Sequence, residues 1–114
     1  ARPVFADVDC ATWTLGPQSV ASAITERTRA VVPVALFGLA PDMQALTALT
    51  RERGIFLLED AAQSILGRYR GQLVGTFGDA ASFSFQSSKH LTSGEGEMSR
   101  LAALKITHSS EDHE

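Results

Sequence analysis

The sequence predicts an α/β domain built around a largely parallel sheet. Apolar, β-branched runs alternate with stretches of helical periodicity, the pattern that βαβ crossovers produce. The runs also end in acidic or small polar residues, where a strand should leave a sheet. With 114 residues, the chain is one domain or part of one and can bury a modest core.

Taken in order, Pro3 to Asp9 alternates well enough for a short strand that closes in acidic turn residues. Pro17 to Thr28 suits a helix. Proline is tolerated in the first turn, and Val20, Ala23 and Ile24 recur at i, i+3 and i+4. Ala30 to Leu36 is a continuous apolar run, as in strands covered on both faces. Pro33 removes one donor from it and predicts a local break in pairing. Pro41 and Asp42 open a second helix through about Arg53, with Met43, Leu46 and Leu49 on one face and Gly54 as its C-cap. Ile55 to Leu58 is the next buried strand, running directly into Glu59 and Asp60. Gly67 to Gly78 carries four glycines, which predicts a β-excursion with tight turns. Ala81 to Phe85 follows as another strand. Leu101 to Leu104 fits either helix or strand, and residues 107–114 read as a polar, frayed end.

Composition excludes several classes. A hydrophobic share of 44% with 20% charged residues argues against disorder. A net charge of −3 leaves no basic footprint for nucleic acid. Cys10 is the sole cysteine, which excludes an internal disulfide and a cysteine-rich metal site, and it reads as a small hydrophobe rather than a nucleophile. No apolar run approaches the ~20 residues that span a bilayer. The chain begins on a strand pattern with no signal peptide, so a cytoplasmic protein with no membrane partner is expected. Its first residue is Ala1, so it is expected to be cut from something longer. His108 and His113 read as solvated residues of the tail, and no metal is expected.

Asp60 and Lys89 carry the chemistry. Ligands of open parallel sheets bind outside the carboxyl ends of the strands. Asp60 closes one strand and Lys89 lies just beyond another, so the two can meet across a cleft. An ion pair is one outcome. The other is a site for pyridoxal phosphate, which needs an amine for its aldehyde and an anion beside its ring nitrogen. Lysine is the fitting amine, because its flexible stem reaches and desolvation lowers its pKa. Ser84, Ser87 and Ser88 offer hydroxyls for the phosphate.

Four segments then carry a resemblance: PVFADVD (Pro3 to Asp9), AVVPVALFGLAPDM (Ala30 to Met43), EDAAQ (Glu59 to Gln63) and VGTFGDAASFSFQSSKHLTSGEG (Val74 to Gly96). In this order and spacing they resemble the DegT/DnrJ/EryC1/StrS sugar aminotransferases, pyridoxal-phosphate enzymes of fold type I. The similarity runs from about Arg2 to Met98. It implies that residues 1–98 are the central part of a three-layer large domain and that residues 99–114 are an atypical, frayed tail.

The resemblance also assigns roles. Lys89 would be the Schiff-base lysine and the proton shuttle, Asp60 the partner of the pyridinium nitrogen, Gln63 a neighbour of the ring hydroxyl, and Ser84 a phosphate ligand. The Ser93 to Gly96 loop would line the entrance. Glu59, on the opposite face of its strand, reads as structural. His90, Trp13 and Tyr69 read as surface or packing residues. The family's dehydratase branch has histidine at the lysine position, so Lys89 points to transamination. The implied donor is glutamate or glutamine. The implied acceptor is a keto sugar, often nucleotide-linked, or a keto-cyclitol, with a lean toward cyclitols.

Members of the family are several times longer and form homodimers that share residues across the active site. The chain is therefore expected to be a fragment, inactive when taken alone. The competing expectation is an inactive α/β remnant that folds partly or docks on an intact paralogue. A Rossmann-type nucleotide binder is disfavoured, because no glycine-rich turn joins an early strand to its helix.

Overall fold

A computed structural model of the chain describes residues 1–85, 94 and 96–101. Helix α1 spans Pro17–Ala23, with proline in its first turn. It stops short of Thr28 because hydroxyl residues take over the local bonding. Thr25 N–H donates to the Thr28 hydroxyl at 3.0 Å, and Thr28 N–H donates to the Thr25 carbonyl at 3.0 Å. Such bonds offer the backbone an alternative to the helix ladder.

The expected strand over Pro3 to Asp9 does not form. Within it, only Val8 makes a bridge, to Leu15, because the chain doubles back on itself. Asp9 N–H donates to Thr14 O, and Trp13 N–H donates to Asp9 O, both at 2.8 Å.

Strand β1, Ala30–Val31, pairs parallel with β2, Phe56–Asp60, in the register Val31↔Leu57. The ladder then skips and returns as a bridge between Val34 and Asp60. Pro33 is the reason. In a parallel ladder alternate residues of one strand donate to the other, and position 33 has no N–H to give. Its carbonyl still accepts from Asp60 N–H at 2.9 Å.

Between these strands, α2 spans Met43–Arg53. Asp42 caps it by accepting from Ala45 N–H at 3.1 Å. Gly54 ends it at φ +64, with Arg51 and Arg53 in the last turn, where cations suit the helix dipole. Met43, Leu46 and Thr50 are buried along one side. Val20 of α1, Val31, Met43, Leu46, Ile55 and Leu57 form the main core. Both helices therefore cover the face of the sheet that bears Leu57.

A small hairpin follows, β3 (Arg68–Tyr69) with β4 (Gln72–Leu73), as the glycine spacing predicted. Strand β5, Ala80–Ser84, pairs parallel with β2, and β6, Glu97–Leu101, returns antiparallel to β5. The larger sheet has the order β1-β2-β5-β6, mostly parallel with one antiparallel edge. Residues 99–101, placed in the tail by the family resemblance, complete β6. Gly78 is required where the chain enters β5, because a Cβ there would meet the Leu57 carbonyl oxygen at 2.5 Å. No helix of the described residues is long and apolar enough to cross a membrane.

Candidate functional site

Strands β2 and β5 run side by side to the carboxyl edge of the sheet, where Asp60 pairs with Ser82 in register. Neighbouring strands lie about 4.8 Å apart, and Ser84 is two residues, about 6.6 Å, farther along. Strand alternation puts Asp60, Ser82 and Ser84 on one face and Glu59, Ala81 and Phe83 on the other. The burial of β2 alternates accordingly: Leu57 and Glu59 are buried, whereas Phe56, Leu58 and Asp60 are half-buried. Asp60 thus faces away from the helices.

Its backbone is tied on both sides, by the bond to Pro33 O and by Ala35 N–H donating to Asp60 O at 3.0 Å. Its Oδ1 accepts from Ala62 N–H at 3.1 Å. Among the described residues, nothing occupies Oδ2. A half-buried carboxylate with a spare acceptor, beside two serine hydroxyls on one face, has the chemistry that a protonated pyridine ring carrying a phosphate would require.

Glu59 points the other way and is 2% exposed. Its Oε1 accepts from Phe77 and Gly78 N–H, and its Oε2 from Gly75 N–H, each at 2.6 Å. The charge is buried but fully engaged, so it fastens the turn before β5 to the sheet.

Gln63 lies in the turn after β2 and is exposed. Its Oε1 accepts from Phe37 N–H at 3.0 Å. Phe37 and Gly38 form a two-residue turn with φ of +51 and +84, closed by a Leu36↔Leu39 bridge.

Lys89 lies outside the described residues, as do Ser87, Ser88, His90, Ser93, Glu95, His108 and His113. The two ends of its segment are held together, since Phe85 N–H donates to Gly96 O at 2.9 Å. Among the described residues, no group of three metal-ligating side chains converges. A recess of about 550 Å³ lies at the other end of the sheet, lined by residues that include Thr25, Arg29, Arg53 and Gly54, and it contains none of the site residues.

Two features escaped sequence reasoning. Nothing in the residue types announces that Phe37 turns with a positive φ, although the following glycine hints at a turn. The other is a clamp on α2. Tyr69 O–H donates to Asp42 Oδ1 at 2.6 Å, and Arg70 donates to Gln44 Oε1. The Arg70 guanidinium sits 5.4 Å from the centre of the Tyr69 ring, which also meets Phe77 edge-on at 5.7 Å. The Tyr69 hydrogen bond and that from Ala45 hold the Asp42 carboxyl below its ordinary 3.8. The same Asp42 bond, joined by partial desolvation, raises the Tyr69 phenol above its ordinary 10.0. Trp13 is exposed.

Comparison with known proteins agrees across sequence and structure. A profile of the DegT/DnrJ/EryC1/StrS aminotransferase family matches residues 1–101. The L-glutamine:2-deoxy-scyllo-inosose aminotransferase of Streptomyces lividus is 51% identical over 96 residues, which are 84% of this chain and 23% of that protein. The GDP-perosamine synthase of Escherichia coli O157:H7 is 40% identical over 98 residues, 86% of this chain and 27% of that protein. The X-ray structure of an aminotransferase from Psychrobacter cryohalolentis superposes with a TM-score of 0.85 at 38% identity, covering 89% of this chain and 26% of that one. The chain therefore spans about a quarter of the length of the relatives it matches.

Proposed function

The chain belongs to the DegT/DnrJ/EryC1/StrS aminotransferase family, and from that membership we propose that it supplies the cofactor-binding core of a cytoplasmic, pyridoxal-phosphate-dependent aminotransferase. The amino group would pass from glutamine or glutamate to a keto-cyclitol or a keto sugar, often nucleotide-linked. The cyclitol is favoured, because the Streptomyces relative named for an inosose is 51% identical over the shared segment. The observation that carries the reading is the common face of Asp60, Ser82 and Ser84 at the carboxyl edge.

Bound there, pyridoxal phosphate supplies an electron sink for the carbon that gains or loses the amino group. Asp60 would hold the proton on the ring nitrogen, since a neighbouring anion favours the charged form. Ser84 would donate its hydroxyl to the phosphate. Gln63 has its carbonyl oxygen committed to Phe37 N–H, which leaves its amide N–H₂ to donate to the ring hydroxyl oxygen. Lys89 would attach the aldehyde through its amine and carry the proton to and from the substrate carbon. It stands four residues past Phe85, a reach of at most about 14 Å. A homodimer would complete the site, with the relatives' remaining length supplied by the longer protein.

Titration of the chain with pyridoxal phosphate, followed by absorbance, tests this reading. A visible band should appear with the unmodified chain, become fixed on Lys89 by borohydride, and be absent in Lys89→Ala. Identical spectra would remove Lys89 from its role. In the full gene product, glutamine-dependent amination of 2-deoxy-scyllo-inosose is expected. The second reading, an inactive remnant that docks on an intact paralogue, is favoured by the bare face of the sheet, where Val32 is 49% exposed and Val34 38% exposed. It requires no cofactor uptake.

A further inference from the structure

We propose that Phe37 is an aromatic platform for the six-membered ring of the acceptor, aimed by Gln63 as a positioning residue; this deepens, and rests on, the aminotransferase reading above. The chain passes Val34, which pairs with Asp60, and three residues later presents Phe37 at the same carboxyl edge. The turn is closed by Leu39 N–H donating to Leu36 O at 2.9 Å.

Phe37 adopts φ +51, a region where bulky residues are outliers and where strain gathers at functional sites. Its side chain is 88% exposed, so among the described residues no packing compensates for that conformation. A second turn of the same form, Arg70-Gly71 with φ of +48 and +83, shows the contrast. Arg70 is occupied, bonded to Gln44 and lying over Tyr69. Trp13 and Leu66 share the left-handed φ and are 74% and 75% exposed; Phe37 differs from them in lying at the carboxyl edge and in being bonded to Gln63.

The turn is held in place from 26 residues away, by the bond from Phe37 N–H to Gln63 Oε1. A backbone N–H can only donate, so Gln63 must present its oxygen here, and the orientation of its amide is fixed. A ring exposed on its face accepts the C–H face of a polyhydroxylated carbocycle or pyranose, while the hydroxyls of that ring stay free for polar partners. The charged amino-acid donor has no such face.

The test uses the full gene product and its Phe37→Ala, Phe37→Gly, Phe37→Trp, Gln63→Leu and Gln63→Glu variants. Binding of 2-deoxy-scyllo-inosose is read without turnover by saturation-transfer NMR, alongside the acceptor KM and the melting temperature. Phe37→Ala and Phe37→Gly should bind the probe roughly tenfold more weakly, with the loss appearing in KM more than in kcat, and Phe37→Trp should bind near the unmodified level. Glycine accepts the left-handed φ, so Phe37→Gly should melt no lower than the unmodified protein. Gln63→Leu should speed hydrogen exchange at the Phe37 amide, and Gln63→Glu, which keeps the acceptor oxygen, should restore the slow exchange.

Unchanged probe binding in Phe37→Ala overturns the platform. So does a Phe37→Gly variant that melts lower, or loses its subunit partner, while binding the probe normally; the ring would then be a packing or subunit contact. If the unmodified protein aminates neither a keto-cyclitol nor a keto sugar from glutamine or glutamate, the aminotransferase reading falls and the platform, which rests on it, falls too; if it does so while the Phe37 variants bind the probe unchanged, the platform alone falls. If the unmodified protein does not bind the probe, the platform falls and the aminotransferase reading is decided by amination of a keto sugar.

Discussion

Glu59 and Asp60 are adjacent carboxylates that the strand sends to opposite faces, and their environments divide the labour. Glu59 is enclosed and meets three backbone donors. In Glu59→Gln, an amide N–H₂ would confront N–H groups that need an acceptor. The expected loss is about 2–4 kcal/mol, read by chemical denaturation. Asp60→Asn keeps an oxygen for Ala62 N–H, so its stability should stay within about 1 kcal/mol, while under the proposed function its affinity for pyridoxal phosphate should fall. A reversed order of these two effects would undo the assignment of one residue to scaffold and the other to chemistry. Phe37→Gly belongs at this scale too. Relief of roughly 1–3 kcal/mol of left-handed strain, less about 0.5–1 kcal/mol of glycine entropy, leaves a small net gain in thermal melts.

At the scale of elements, the hairpin β3–β4 grips the start of α2 through a single oxygen, Asp42 Oδ1, which serves both Ala45 N–H and Tyr69 O–H. The two pKa directions give the clamp a working window. Asp42 is lowered in the folded chain, so its contribution is present above the ordinary carboxylate value and is lost as pH falls through the folded value. Tyr69 is raised, so its contribution is present below the ordinary phenol value and is lost as pH climbs through the folded one. Thermal melts of Tyr69→Phe should therefore fall below those of the unmodified chain near neutrality, by about 1 kcal/mol, and converge with them at both extremes. A constant offset across pH would remove the phenol from this role.

The elements also show what sequence could disclose. Helix α2 was legible because its start and stop signals, Asp42 and Gly54, are local chemistry. The break at Pro33 was legible because a missing donor is a property of the residue itself. The segment Pro3 to Asp9 misled, since alternation reports a tendency to pair and cannot supply a neighbouring strand. The clamp was hidden because it joins residues 27 apart through one side-chain oxygen. The strand-end positions of Asp60 and Ser84 were legible, whereas the bond that ties Gln63 to Phe37 depends on a backbone angle that no residue type announces.

At the scale of the whole chain, the governing fact is that, among the described residues, the sheet is clad on one side. Both helices pack on the Leu57 face, and the face that bears Asp60 leaves Val32 and Val34 substantially exposed beside an edge strand. Apolar sheet surface next to unpaired edges favours association. The 114-residue chain should self-associate with rising concentration in sedimentation experiments, and Val32→Lys with Val34→Lys should suppress this without lowering the melting temperature.

The fastening of Phe85 to Gly96 has a consequence for the far end of the sheet. It adds one more rung to the β5–β6 ladder beyond Ser84 and Glu97, so the two strands hold their registration up to that rung. Ser84, one residue before it, is thereby steadied from two strands rather than from its own alone.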